Sequence, residues 1–160
     1  MLNNAEMEMF KGRFTEEITE EKESIAYASR LTDEQMTEFE DETDLDELRC
    51  RLSEYYAMYF DNSPRILEAK TGIRGNTFQK AINFSSRKNI SKETLSAFCV
   101  GAGLSADEAK KLFILSGKPL SMEHGYDKLL IFELENHRDI DTYDEDLRQL
   151  GQKGIFKAMD

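Results

Sequence analysis

Only two prolines fall in 160 residues, and one of them, Pro64, stands directly after Ser63. A proline there sits at the first position of a helix, where its missing N–H costs nothing, and the serine hydroxyl before it accepts from a first-turn amide. Helix breakers are otherwise scarce, and nine glycines among abundant Glu, Lys, Leu and Ala argue against a turn-rich sandwich or barrel. The expected fold class is all-α.

Similar punctuation recurs along the chain. From Leu45, the apolar positions Leu48, Leu52, Tyr55 and Tyr59 keep a 3–4 residue rhythm that predicts an amphipathic helix ending near Phe60. A second helix follows Ser63-Pro64 and stops at Gly72, and a third starts at Asn76. In the third, Phe78, Ala81 and Ile82 share one face, while Asn76, Gln79, Lys80 and Asn83 share the other. Ser91 opens a fourth helix, with Ile90 placed to staple against Leu95 and with Leu95, Phe98, Cys99 and Ala102 turned inward; Gly101 and Gly103 are expected to fray its end. Ser105-Ala-Asp-Glu108 has the form of a capping box for a fifth helix, which buries Ala109, Leu112, Phe113 and Ser116 and closes at Gly117 and Pro119. Ser121 and Thr142 are the expected caps of two further helices.

The charge is unevenly distributed. The whole chain carries −11, yet residues 49–121 hold 12 basic and 6 acidic groups, whereas residues 1–48 hold 4 and 16, and residues 122–160 hold 5 and 10. A basic module between acidic flanks can attract a polyanion that the total charge would repel, because the local field governs the encounter. In the acidic start, Met7, Phe10, Phe14 and Ile18 recur at helical spacing, and Thr32 to Gln35 forms a second capping box. Seven acids within Glu38–Glu47 predict a linker near 40–44. The division expected is therefore an acidic, partly helical arm (1–44), a core (45–121) and C-terminal helices (122–160) that pack on the core or dimerise.

Several function classes find no footing. The start lacks the basic and apolar regions of a signal peptide, and the longest uncharged stretch, Thr94–Ala106, is 13 residues, short of the roughly 20 a bilayer span needs. The expectation is a cytosolic protein without a membrane partner. Cys50 and Cys99 belong to no metal-binding cluster and read as small buried hydrophobes. His137-Arg-Asp139 matches the start of a kinase catalytic loop, but no phosphate-cradling glycine loop accompanies it. The acids around Asp139, Asp141, Asp144 and Asp146 lack the glycine turn and terminal glutamate of a calcium loop, and they suit a helix start. His124 has no nucleophile or ligand beside it. No enzyme activity, cofactor or metal is expected.

Short helix, glycine, apolar residue, brief turn, second helix with a polar outer face, basic loop, then Ser-x-x-Thr-Leu: this order runs through SPRILEAKTGIRGNTFQKAINFSSRKNISKETLSAFCVGAGL, residues 63–104. It resembles the helix-turn-helix domain of phage-repressor-like (xenobiotic-response-element type) regulators, and the extension to about Leu150 is similar to a variant with extra C-terminal helices in uncharacterised bacterial proteins. The resemblance implies a five-helix repressor-like core with two additional C-terminal helices. It also implies sequence-specific binding of double-stranded DNA in transcription regulation, by a homodimer on paired half-sites. Carried over by position, Arg74, Asn76, Gln79, Lys80 and Asn83 read base edges, and Ser85, Ser86, Arg87, Lys88 and Lys92 lie over the phosphate backbone. The run Leu129-Leu-Ile-Phe132 cannot all face one core on this reading, which makes the C-terminal helices the expected dimer surface. The alternative is a non-catalytic protein–protein interaction module, an adaptor or inhibitor, whose acidic arm contacts a protein partner.

Overall fold

The computed structural model describes residues 2–7, 10, 43–85, 89–152 and 154, and the described residues contain helices and no strand. Seven helices of eight or more residues follow in order: α1 (Leu45–Phe60), α2 (Pro64–Thr71), α3 (Gly75–Ile82), α4 (Lys92–Ala102), α5 (Ala106–Leu115), α6 (Gly125–Glu135) and α7 (Ile140–Gln149). None is long and apolar enough to cross a membrane.

Helix α4 is the hub. It packs against α1, α2, α5, α6 and α7, and every residue from Leu95 to Val100 is buried. A helix apolar on all sides belongs inside a protein, which accounts for the uncharged stretch that is too short for a membrane. Its end is firmer than the two glycines suggested. Gly103 is the left-handed C-cap (φ 68°), but Gly101 lies within the helix, where α2 crosses it. A Cβ on Gly101 would overlap Thr71 Cγ2 and stand 2.5 Å from the Lys70 carbonyl oxygen. Alanine normally improves a helix by about 1 kcal/mol over glycine. Here Gly101→Ala is expected to destabilise by about 1–3 kcal/mol in urea denaturation, because the contact at α2 is backbone and cannot give way. A variant more stable than the parent would place the crossing elsewhere.

The local caps operate through the spacing of their side chains. Ser63 Oγ accepts from Ile66 N–H, Ser91 Oγ from Thr94 N–H, and Ser105 with Glu108 forms the reciprocal box. Asp44 caps α1, and its own N–H donates to the Leu115 carbonyl at 2.9 Å, so the C-terminal end of the expected 40–44 linker is fastened to α5. Residues 86–88, Phe14, Ile18 and the Thr32 capping box lie outside the described residues.

Five expectations need correction. The buried stripe of α1 is Leu48, Leu52, Tyr56 and Phe60, with Tyr55 and Tyr59 stacked beside it at 5.8 Å; one residue of shift rotates the face by a quarter turn. Cys50 consequently faces solvent, while Cys99 is buried and its thiol pushed up by desolvation. Ser121 does not open α6, which starts four residues later; its N–H instead donates to buried Asp127. Helix α7 is capped by Asp139, whose carboxylate accepts from Thr142 N–H and is thereby held below its usual pKa. Finally, Leu129, Leu130 and Ile131 are buried and Phe132 is half-buried against Phe10.

That last correction removes the stated reason for a dimer surface at these positions. Helix α6 is flanked by α4, α5 and the chain's own start, since Leu2 and Phe10 join the same hydrophobic core as the C-terminal helices. The Leu2 N–H donates to Asp146 Oδ1 of α7 at 3.0 Å, and the Phe10 ring meets Phe132 edge-on at 5.6 Å. The first residues of the arm and the residues after 121 thus share one core with 45–121.

Candidate nucleic-acid interface

Helix α3 is anchored from behind by its fully buried Phe78, with Ala81 and Ile82 packed beside it. Phe78 is 0% exposed, stacked on Phe98 of α4 at 5.4 Å and edge-on to Tyr56 of α1 at 4.8 Å. Its entry is equally fixed. Gly72 takes the left-handed conformation (φ 75°) and donates to Glu68 O, Ile73 is fully buried, and the Arg74 carbonyl accepts from Phe78 N–H. Thr71 is buried without loss, because its hydroxyl donates to Leu67 O and accepts from Ile73 N–H. The start of α3 lies against that of α2, where a Cβ on Gly75 would come to 3.0 Å from Pro64 Cβ.

With Phe78 inward, Arg74, Asn76, Gln79, Lys80 and Asn83 are all exposed. They are not chemically equivalent. The Asn76 carbonyl oxygen accepts from Thr77 N–H at 2.8 Å. That of Asn83 accepts from both Ser85 N–H and Ser85 Oγ, at 2.9 and 2.8 Å. Each keeps its amide donors, but a two-point contact to adenine needs donor and acceptor together. The Gln79 side chain makes no hydrogen bond among the described residues, so both ends of its amide are available.

The basic side chains differ as well. From Asn62 to Lys92 the sequence has seven basic residues and one acid, Glu68, which is exposed. Lys70 leans back to the Tyr59 carbonyl and over the Phe60 ring. Lys92, expected over phosphate, places its ammonium 2.7 Å from Asp127 Oδ1, whose carboxylate is buried and also accepts from Ser121 N–H. Its charge is neutralised by a partner 35 positions away, so Lys92 serves the α4–α6 packing. Ser86, Arg87 and Lys88 lie outside the described residues; Ser85 is exposed. Sequence reasoning passed over the exposed Arg65 of α2 and the exposed Phe84, for which an apolar residue between Asn83 and Ser85 was the available signal.

The acidic cluster near the C-terminus has structural work. Asp139 caps α7, Asp144 pairs with Arg148 at 3.2 Å, and Arg138 lies 3.6 Å from both Glu133 and Asp146. Among the described residues, no group of three or more His, Cys, Asp or Glu side chains is placed to hold a metal ion. Comparison with protein-family models, with curated proteins and with solved structures gives no match.

Proposed function

We propose that this chain is a sequence-specific, double-stranded DNA-binding transcriptional regulator that reads its site through α3 in a helix-turn-helix. The observation that carries the reading is the division of α3: Phe78 fills the core while five donor-bearing side chains, including Arg74 and Lys80, stand exposed behind it in a stretch with one acid. Such a face offers hydrogen bonds to base edges and charge to the backbone without rearranging the fold. Arg87 and Lys88, next in sequence, extend the same charge. A homodimer on paired half-sites belongs to this proposal, with its contact on a face other than Leu129–Phe132.

The alternative is a protein-binding module on the same helices. It is favoured by the total charge of −11 and by the doubly engaged carbonyl oxygen of Asn83. Selection of duplexes from a random pool by the full chain at low salt separates the two, since a regulator enriches a short consensus and a protein-binding module returns the pool unchanged. On the enriched duplex, Gln79→Ala is expected to lower discrimination against mismatched sites by about 1–3 kcal/mol. Lys88→Ala should weaken all duplexes alike and reduce the salt slope by about one. Equal behaviour of the two variants would remove α3 as the reader.

A further inference from the structure

The second residue beyond the reading helix exposes a large apolar surface, with no ring or cation partner among the described residues. Phe84 is 57% exposed, although the core already contains Phe60, Phe78 and Phe98 within van der Waals reach of one another. Its position is set by the turn around it. Asn83 leaves the helix in extended conformation (φ −79°, ψ 115°), and its side-chain oxygen receives both the amide and the hydroxyl of Ser85, so two hydrogen bonds span the backbone of Phe84. The backbone that carries the ring is thereby tied to the end of α3.

Two features name the chemistry of what it meets. The first is charge: Lys80 precedes it by four residues and Arg87 and Lys88 follow, with no acid between Glu68 and Glu93, so an anionic partner is favoured. The second is proximity, because Phe84 is exposed and follows directly on Asn83, the last of the exposed set Asn76, Gln79, Lys80 and Asn83. Duplex DNA offers one apolar group in the major groove, the C5-methyl of thymine, and aromatic rings are among the side chains that contact it. We infer that Phe84 is a specificity-determining residue that reads a thymine methyl group at the edge of the site read by α3. This rests on the DNA-binding reading and adds one contact to it. The same inference assigns the Asn83–Ser85 hydrogen bonds a purpose: they fix the backbone turn that carries Phe84, while Asn83 keeps its amide donors.

The test uses the full chain and the duplex enriched from a random pool, with each thymine replaced in turn by uracil, which deletes the methyl and changes nothing else on the groove edge. For the parent, one replacement should weaken binding by about fourfold, the value of one methyl group removed from water. For Phe84→Ala that replacement should have no further effect, while overall affinity falls about tenfold; Phe84→Leu, which keeps an apolar contact, should retain part of the uracil penalty. Both variants should melt with the parent, since the ring is outside the core. A uracil penalty equal in parent and Phe84→Ala overturns the Phe84 assignment and leaves the reading by α3 standing. So does a parent insensitive to uracil at every position. Failure of the parent to enrich any duplex overturns the DNA-binding reading and this inference with it.

Discussion

Phe78→Ala is expected to lose about 3–5 kcal/mol of stability, the usual cost of emptying a buried phenylalanine site. For a chain of this size that is on the order of 10 °C in melting temperature, and a large share of the 5–15 kcal/mol a domain typically has. The reason lies in what Phe78 touches. It stacks nearly parallel on Phe98 (7° between planes), meets Tyr56 edge-on, and Phe98 in turn touches Phe60, so the ring joins α3 to α1 and to the central α4. Neighbouring Ala81 and Ile82 are only half-buried and cannot replace it as an anchor. Exposed positions on the opposite face should behave differently: Gln79→Ala is expected to leave the melting temperature within about 2 °C of the parent, since a surface substitution usually changes stability by less than 0.5 kcal/mol. Thermal melts of the two variants check the assignment of the faces of α3. A Phe78→Ala protein that melts with the parent would mean that the faces are reversed, and the reading set would fall with them.

That division was legible because its cause is local. Ser63, Ser91 and Ser105 each act on an amide three residues away, and Gly72 closes the helix it ends, so a window of a few residues contains the whole interaction. Where several local solutions compete, pattern alone selects poorly. Asp139 and Thr142 both suit an N-cap, and the structure uses the first because its carboxylate reaches the Thr142 amide and buries Ile140. Tyr55-Tyr56 and Tyr59-Phe60 offer two adjacent stripes of identical spacing, and packing on Phe78 and Phe98 selects the second. The contacts that were illegible join distant parts of the chain: Lys92 with Asp127, Asp44 with Leu115, Leu2 with Asp146 and Phe10 with Phe132. These pair Lys92 with a buried carboxylate and cover the Leu129–Phe132 run from within, and neither is visible in residue type or spacing. The available amide of Gln79 and the occupied one of Asn83 were equally hidden, since residue type gives donor capacity and only geometry gives its use.

Replacing Glu133 by glutamine should make stability less dependent on pH and raise it on the alkaline side. Glu133 and Asp146 are both 0% exposed, with Arg138 at 3.6 Å from each and the Leu2 N–H on Asp146. Burial strips both carboxylates of water while their like charges face each other, so the pair retains a proton. Burial first, then the hydrogen bond and charge of Asp146, push Glu133 up to about 9 from an ordinary 4.5, against the opposing pull of Arg138. A carboxyl group raised in this way costs stability as pH rises: the unfolded chain releases the proton near 4.5 while the native state keeps it until about 9. Across that window the native state binds more protons, and unfolding free energy falls. By neutral pH the penalty from this one group is on the order of 3 kcal/mol. Glu133→Gln keeps the size and a donor toward Asp146 but has nothing to ionise. Urea denaturation from pH 5 to pH 9 should therefore give a declining curve for the parent and a flatter one for the variant, diverging as pH rises, with the variant the more stable at pH 8. Parallel curves would mean that the proton does not reside on this pair in the native state, and that the surrounding positive groups, Arg138 among them, compensate both carboxylates.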